Sequence, residues 1–141
     1  MQALTCLPQP ARVRVRIRMR LSTMALRIYH NPRCSKSRQT LEFIRSAGTD
    51  PEIVLYLEDT PSATALVELA KQLGRPVADL LRRGENEFRT AEDLPDLGDD
   101  DALAAWLAAH PKVIERPIVV DTGSGRAVLG RPPENVKELL D

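Results

Sequence analysis

The apolar pattern changes period twice between residues 26 and 56, and this restricts the fold more than any other feature of the chain. Leu26 and Ile28 alternate with Arg27 and Tyr29, the period of a strand, and the alternation ends at His30. Asn31-Pro32 interrupts it. From about Ser35 the spacing becomes helical, with Leu41, Ile44 and Phe43/Ala47 inward and Gly48 as the stop. Ile53-Val54-Leu55-Tyr56 then reads as a second, buried strand. Two strands joined through a helix are parallel with a right-handed crossover, so a β-α-β unit is expected.

The middle of the chain reads as helical. Leu66, Leu69, Ala70 and Leu73 share a face between Pro61-Ser62 and Gly74. A short helix from Pro76 runs through Val77, Leu80 and Leu81 into Arg82-Arg83-Gly84, and residues 84–98 read as loop. Three aspartates at 99–101 suit a helix N-terminus, Leu103, Trp106 and Leu107 its inner face, and His110-Pro111 its end. Ile118-Val119-Val120 and Ala127-Val128-Leu129 flank the turn-rich Asp121–Gly125 as a hairpin. Pro133 then opens a closing helix with Val136, Leu139 and Leu140 on one face. The order is β-α-β, a helical insertion over about 58–113, then β-β-α. That is an α/β, thioredoxin-like fold with a mixed four-stranded sheet, occupying residues 24–141 as one domain. At 141 residues there is hardly room for a second core.

The first 23 residues stand apart. Five arginines, Arg12, Arg14, Arg16, Arg18 and Arg20, alternate with mostly apolar residues, and no acid occurs before Glu42. This suits neither the helical amphipathicity of a transit peptide nor the unbroken apolar stretch of a secretory signal. It reads as a basic, disordered extension or as a mis-assigned start preceding Met24, with a nucleic-acid-binding arm as the rival. The formal charge of zero therefore hides an asymmetry. From Met24 onward 15 basic residues face 20 acidic ones, a net of −5, so no nucleic-acid partner is expected. No membrane partner is expected either, for want of a long apolar stretch. Two cysteines, Cys6 and Cys34, are too few for a disulfide framework and point to a reducing, cytoplasmic setting. With only His30 and His110 beside them, no metal site is expected.

Cys34 falls at the junction of the first strand and the first helix, in His30-Asn31-Pro32-Arg33-Cys34-Ser35-Lys36-Ser37-Arg38. A helix N-terminus offers unpaired N–H groups and partial positive charge, which favour a thiolate and an anionic ligand alike. Arg33, Lys36, Arg38 and His30 add positive charge nearby, so the thiol is expected to ionise below the free-cysteine value of about 8.5. Ser37 stands where a dithiol motif would place a second cysteine, so the resolving thiol must come from another molecule. Thr40 stands where the phosphate loop of tyrosine phosphatases has arginine. His30 could help ionise Cys34 or could be a hydrogen-bonded strand-end histidine. Ser37 could donate to the thiolate or serve only the first helical turn.

Four blocks in order, Tyr29-His30-Asn31-Pro32-x-Cys34-x-x-Ser37-Arg38, Leu55-Tyr56-Leu57, Glu115-Arg116-Pro117-Ile118-Val119-Val120 and Gly130-Arg131-Pro132, resemble the ArsC family of glutaredoxin-coupled arsenate reductases. The resemblance covers residues 25–140 and is to a short form of the family. It implies a nucleophilic Cys34 helped by three oxyanion-binding arginines, which by motif are Arg82, with Arg83 adjacent to it, Arg116 and Arg131. It also implies a cytoplasmic monomer that binds no cofactor. Arsenate would be reduced to arsenite, and the adduct resolved by glutathione and glutaredoxin. In some members a cysteine precedes the last arginine; Gly130 stands there in this chain. Two rivals are a regulator of the related Spx type that binds RNA polymerase, and a glutathione-dependent thiol oxidoreductase with another substrate. Ser37 argues against the redox-switch form of the former, which carries C-x-x-C.

Overall fold

A computed structural model describes residues 25–140. Its sheet has the order β2-β1-β3-β4, where β1 is Leu26–His30, β2 Glu52–Leu55, β3 Ile118–Asp121 and β4 Arg126–Leu129. β1 pairs parallel to β2 and antiparallel to β3, and β3 pairs antiparallel to β4. This is the expected mixed four-stranded sheet of a thioredoxin-like fold. The hairpin between β3 and β4 turns through Gly125, whose φ of 79° suits glycine.

Alternation along the strands divides the core in two. Leu26 and Ile28 of β1 and Val119 of β3 face helix α1, Ser35–Ser46, where they meet Leu41 and Ile44. Val136 and Leu139 close the same layer from the C-terminal segment, a 3₁₀ turn over Pro133–Val136 running into α5, Lys137–Leu140. Ile118 and Val120 face the opposite way, onto α2, Ala63–Leu73, and α4, Asp100–Ala109. Leu66, Leu69, Leu103 and Leu107 are fully or almost fully buried there, each burial worth about 1.5–3 kcal/mol. Both insertion helices start at a side-chain cap: Ser62 accepts from the Ala65 N–H and Asp99 from the Ala102 N–H.

Three sequence expectations change. β2 is an edge strand, paired only to β1, and Ile53 is 38% exposed. Its apolar run signals burial, yet an edge position leaves part of that run in solvent; only Tyr56, just beyond its end, is fully covered. Residues 84–98 contain a single helical turn, α3, Asn86–Arg89, because Glu85 starts an i→i+4 bond that a polar composition does not advertise. Ala47 is exposed at the end of α1, so that helix buries a narrower face than its sequence suggests.

Candidate active site

The turn that carries Cys34 is held by its own short-range bonds. Asn31 Oδ1 accepts from the Arg33 N–H at 3.0 Å, and the Asn31 carbonyl accepts from the Cys34 N–H at 3.0 Å. Arg38, one turn into α1, reaches back to donate to the Pro32 carbonyl at 2.8 Å. Cys34 itself is the N-cap of α1 in extended conformation, partly exposed, and its side chain makes no cap bond. The first-turn N–H groups are therefore available to the sulfur.

Burial pushes the Cys34 thiol up, but the backbone N–H groups of Ser37 and Lys36 and the nearby Arg116 guanidinium outweigh it. The net effect is a thiol held below its ordinary value. The helix N–H groups act on the sulfur as the sequence suggests, but the cation that does so is not one of the expected local ones. Arg33, Lys36 and Arg38 are exposed residues, and the charge that bears on the sulfur comes from backbone dipoles and from Arg116, eighty-two positions later.

His30 and Ser37 pair with each other. His30 Nδ1 lies 2.7 Å from Ser37 Oγ, which also accepts from the Asn31 N–H at 3.0 Å. Burial, with Arg45 and Arg38 nearby, holds the imidazole below its ordinary value. A neutral ring whose Nδ1 accepts the Ser37 proton satisfies all three groups. Ser37 thus bears on Cys34 through its backbone, while its hydroxyl ties strand end, loop and helix together.

The three arginines arrive from three other connections. Arg82 follows the 3₁₀ turn Val77–Leu80, where the Leu81–Ile114 bridge and an Arg82 N–H bond to the Val113 carbonyl at 2.7 Å fix its backbone. Arg116 and Arg131 each precede a proline through a cis peptide, just before β3 and just after β4. Arg131 Nη1 donates to the Arg116 carbonyl at 3.4 Å. Arg83 points elsewhere, over the Phe88 ring at 6.0 Å, which separates it from its neighbour. Glu115, given no role from sequence, sets its Oε1 3.8 Å from Arg82 Nε and 3.7 Å from Arg131 Nε. Those separations are too long for hydrogen bonds, but they place one counter-charge between two guanidiniums.

Among the described residues, the buried side-chain atoms that find no hydrogen-bond partner are Arg82 Nη1, Arg116 Nε and the Tyr56 hydroxyl. All three can donate; Arg116 bears on the Cys34 sulfur, and the charges of Arg116, Cys34 and Arg82 all act on the Tyr56 phenol. Beside them a cleft of about 230 Å³ is lined by Asn31, Arg33, Leu57, Glu85, Lys112 and Arg116. Unpaired donors in the neighbourhood of a cysteine at a helix N-terminus suit a tetrahedral oxyanion. The sequence places Tyr56 in a motif block, Leu55-Tyr56-Leu57, but as the end of an apolar run it passes there as core.

Gly130 determines how closely two of these connections meet. It is buried; its N–H donates to the Pro117 carbonyl at 2.9 Å, and Thr40 Oγ1 donates to its carbonyl at 3.1 Å. A Cβ at this position would sit 2.7 Å from Thr40 Oγ1, 2.8 Å from Thr40 Cγ2 and 2.9 Å from Pro117 Cγ. The cysteine that some ArsC members carry here could not enter without backbone or Thr40 moving. No group of three or more His, Cys, Asp or Glu residues able to hold a metal occurs among the described residues, and none of their helices is long and apolar enough to cross a membrane.

A thioredoxin-like sheet with a cysteine at the start of its first helix and arginines on the facing connections defines the fold class, that of the thioredoxin-like α/β proteins. Within it the chain belongs to the ArsC family, which it matches over residues 29–139. It is 43% identical over 119 residues to the uncharacterized protein YfgD of Escherichia coli, covering 84% of this chain and 98% of that one. An arsenate reductase of Escherichia coli is 44% identical over 115 residues, covering 82% of this chain and 80% of the other. Among solved structures, an arsenate reductase from Vibrio cholerae superposes with a TM-score of 0.73 at 44% identity, over 83% of this chain and 98% of that one.

Proposed function

We propose that this protein is an arsenate reductase that uses Cys34 as nucleophile and takes its electrons from glutathione and glutaredoxin. The observation that supports the reading best is the pair of buried guanidinium nitrogens, Arg82 Nη1 and Arg116 Nε, left without partners beside a thiol that ionises readily. Guanidinium nitrogens kept dry without an acceptor are costly to a fold and useful to an anion, even though Arg82 also faces Glu115 and Arg116 Nη1 donates to the Lys112 carbonyl at 3.3 Å. Relatives at 43–44% identity that are named arsenate reductases support arsenate as that anion.

In this reading the Cys34 thiolate attacks arsenic, an As–S bond forms, and an arsenate oxygen leaves as water after protonation. Arg82, Arg116 and Arg131 hold the remaining oxygens. A glutathione thiolate then displaces a second oxygen from the adduct. A glutaredoxin thiolate attacks the glutathione sulfur, forming the glutaredoxin–glutathione disulfide and leaving the electron pair of the S–As bond on arsenic. Arsenic falls from +5 to +3, and hydrolysis of the remaining As–S bond releases arsenite and restores Cys34. His30 and Ser37 support the step by fixing the turn, and no bound cofactor enters it. The protein acts as a soluble cytoplasmic monomer.

The test is NADPH oxidation coupled through glutathione reductase, with arsenate, glutathione and glutaredoxin supplied. Turnover is expected to depend on all three and to vanish in Cys34→Ser. Absence of arsenate-dependent turnover in the parent overturns the reading. The alternative of a thiol enzyme with another substrate gains support if glutathione and glutaredoxin sustain turnover of a different electrophile.

A further inference from the structure

Tyr56 immediately follows β2, where Leu55 pairs in register with His30, so it lies alongside Asn31 and the Cys34 turn. The residue is 1% exposed, and it packs on the apolar cluster of the helical insertion with Leu66, Leu80 and Ile114. Phenylalanine would fill that space as well. What tyrosine adds is a hydroxyl, which lies near the Asn31 side chain but meets no acceptor or donor in hydrogen-bond geometry among the described residues. A buried tyrosine ordinarily satisfies its O–H, because leaving it unpaired costs desolvation with no return.

The other two buried unpartnered atoms are guanidinium nitrogens of the same site, so the orphaned groups are not scattered through the fold. They are gathered at the place where an anion is to be held. We propose that Tyr56 is a further oxyanion-binding residue, its phenol hydroxyl donating a hydrogen bond to an oxygen of the anion held beside Cys34. The inference rests on the reading of this site as an oxyanion pocket and adds a neutral donor to its charged ones.

A donor of this kind must keep its proton, and the surroundings see to that. Burial pushes the phenol above its ordinary value; Arg116, Asn31 and Arg82 pull against this without reversing it, and the Cys34 thiolate reinforces it. The group is therefore a neutral O–H at physiological pH, which adds no repulsion to an incoming anion. Its recognition is for any tetrahedral oxyanion, with arsenate, phosphate and sulfate sharing the chemistry.

The test uses the full chain with Tyr56→Phe, which keeps the ring and the packing. Cys34 alkylation by iodoacetamide is followed against rising arsenate, inorganic phosphate and sulfate. The parent is expected to be protected. The variant should need about tenfold more anion for half-protection, the loss of one hydrogen bond to a charged acceptor. Without anion its alkylation rate should stay within about twofold, and its melting temperature should equal or exceed the parent's, since an unpaired hydroxyl has been removed. In turnover, KM for arsenate should rise more than kcat falls. Equal protection of parent and variant overturns the role of Tyr56 and leaves the oxyanion pocket standing. Failure of all three anions to protect the parent overturns the pocket itself. A variant whose anion-free alkylation rate changes tenfold shows Tyr56 to act on Cys34 or Asn31 instead, and this too overturns the proposal.

Discussion

The proposed nucleophile and the proposed anion-binding groups are built in opposite ways. Cys34 is set by nine consecutive residues: the strand ends at His30, Asn31 and Pro32 shape the turn, and α1 presents its N–H groups. Its bonds span seven positions or fewer. Arg82, Arg116, Arg131 and Tyr56 come from four different connections and meet only because the insertion packs on one face of the sheet. A locally built group survives damage elsewhere in the fold, whereas a pocket assembled across connections depends on every contact between them. The contrast predicts that changes at a distance impair anion binding while leaving the thiol reactive, Arg116 excepted because its guanidinium also bears on the sulfur.

The sharpest break is to remove the arginines. Arg82→Ala and Arg116→Ala should each lose charge-assisted hydrogen bonds worth roughly 1.5–3 kcal/mol, which is about ten- to a hundredfold in kcat/KM for arsenate. Arg131→Ala should fall in the same range. Arg83→Ala, whose guanidinium sits over Phe88, should stay near the parent, which steady-state kinetics alongside thermal melts will decide. Arg116→Ala should in addition raise the thiol's titration midpoint, seen as thiolate absorbance against pH, because it alone of the three acts on the sulfur.

Gly130→Ala tests the pocket's assembly without touching an anion ligand. The added Cβ meets Thr40 and Pro117 below 3.0 Å, so overpacking should cost about 1–3 kcal/mol in a thermal or chemical melt. Anion protection of Cys34 should weaken, since Arg131 is the next residue and Arg116 precedes Pro117, while the anion-free alkylation rate stays close to the parent's. Loss of thiol reactivity in step with anion binding would break the contrast between the two halves of the site.

A smaller effect is expected at Glu115. Its ion pairs with Arg82 and Arg131 are long and partly exposed, so Glu115→Gln should change stability by less than about 1 kcal/mol. Removing a negative charge next to the bound anion should lower the phosphate concentration for half-protection by about threefold. Weaker protection would instead identify orientation of the two guanidiniums as the carboxylate's main contribution.

The smallest expected effect belongs to the local half. His30 is held below its ordinary value by burial, so the unfolded chain binds its proton first as the pH falls. Stability present above the unfolded value of about 6.5 is then lost as the pH drops toward the folded one. His30→Asn, which keeps an acceptor for Ser37, should flatten the decline in melting temperature between pH 7 and 5 relative to the parent. An identical decline in both would show that the His30–Ser37 pair does not govern it.

The order of elements, the place of Cys34 at a strand-to-helix junction and the motif blocks around it were all legible in the chain, because periodicity, Pro32 and helix-start signals act over a few residues. The family's arginine positions were legible as motif, but Arg82 and Arg83 are identical in sequence terms and only packing turns one inward. The edge position of β2 was not legible, since an apolar run of four says nothing about how many neighbours a strand will have. Nor were the roles of Glu115, Gly130 and Tyr56, which follow from distances between segments up to ninety residues apart. Short-range chemistry is written in neighbouring side chains; an anion pocket is a sum of long-range placements, and those exist only once the two core layers have closed on the sheet.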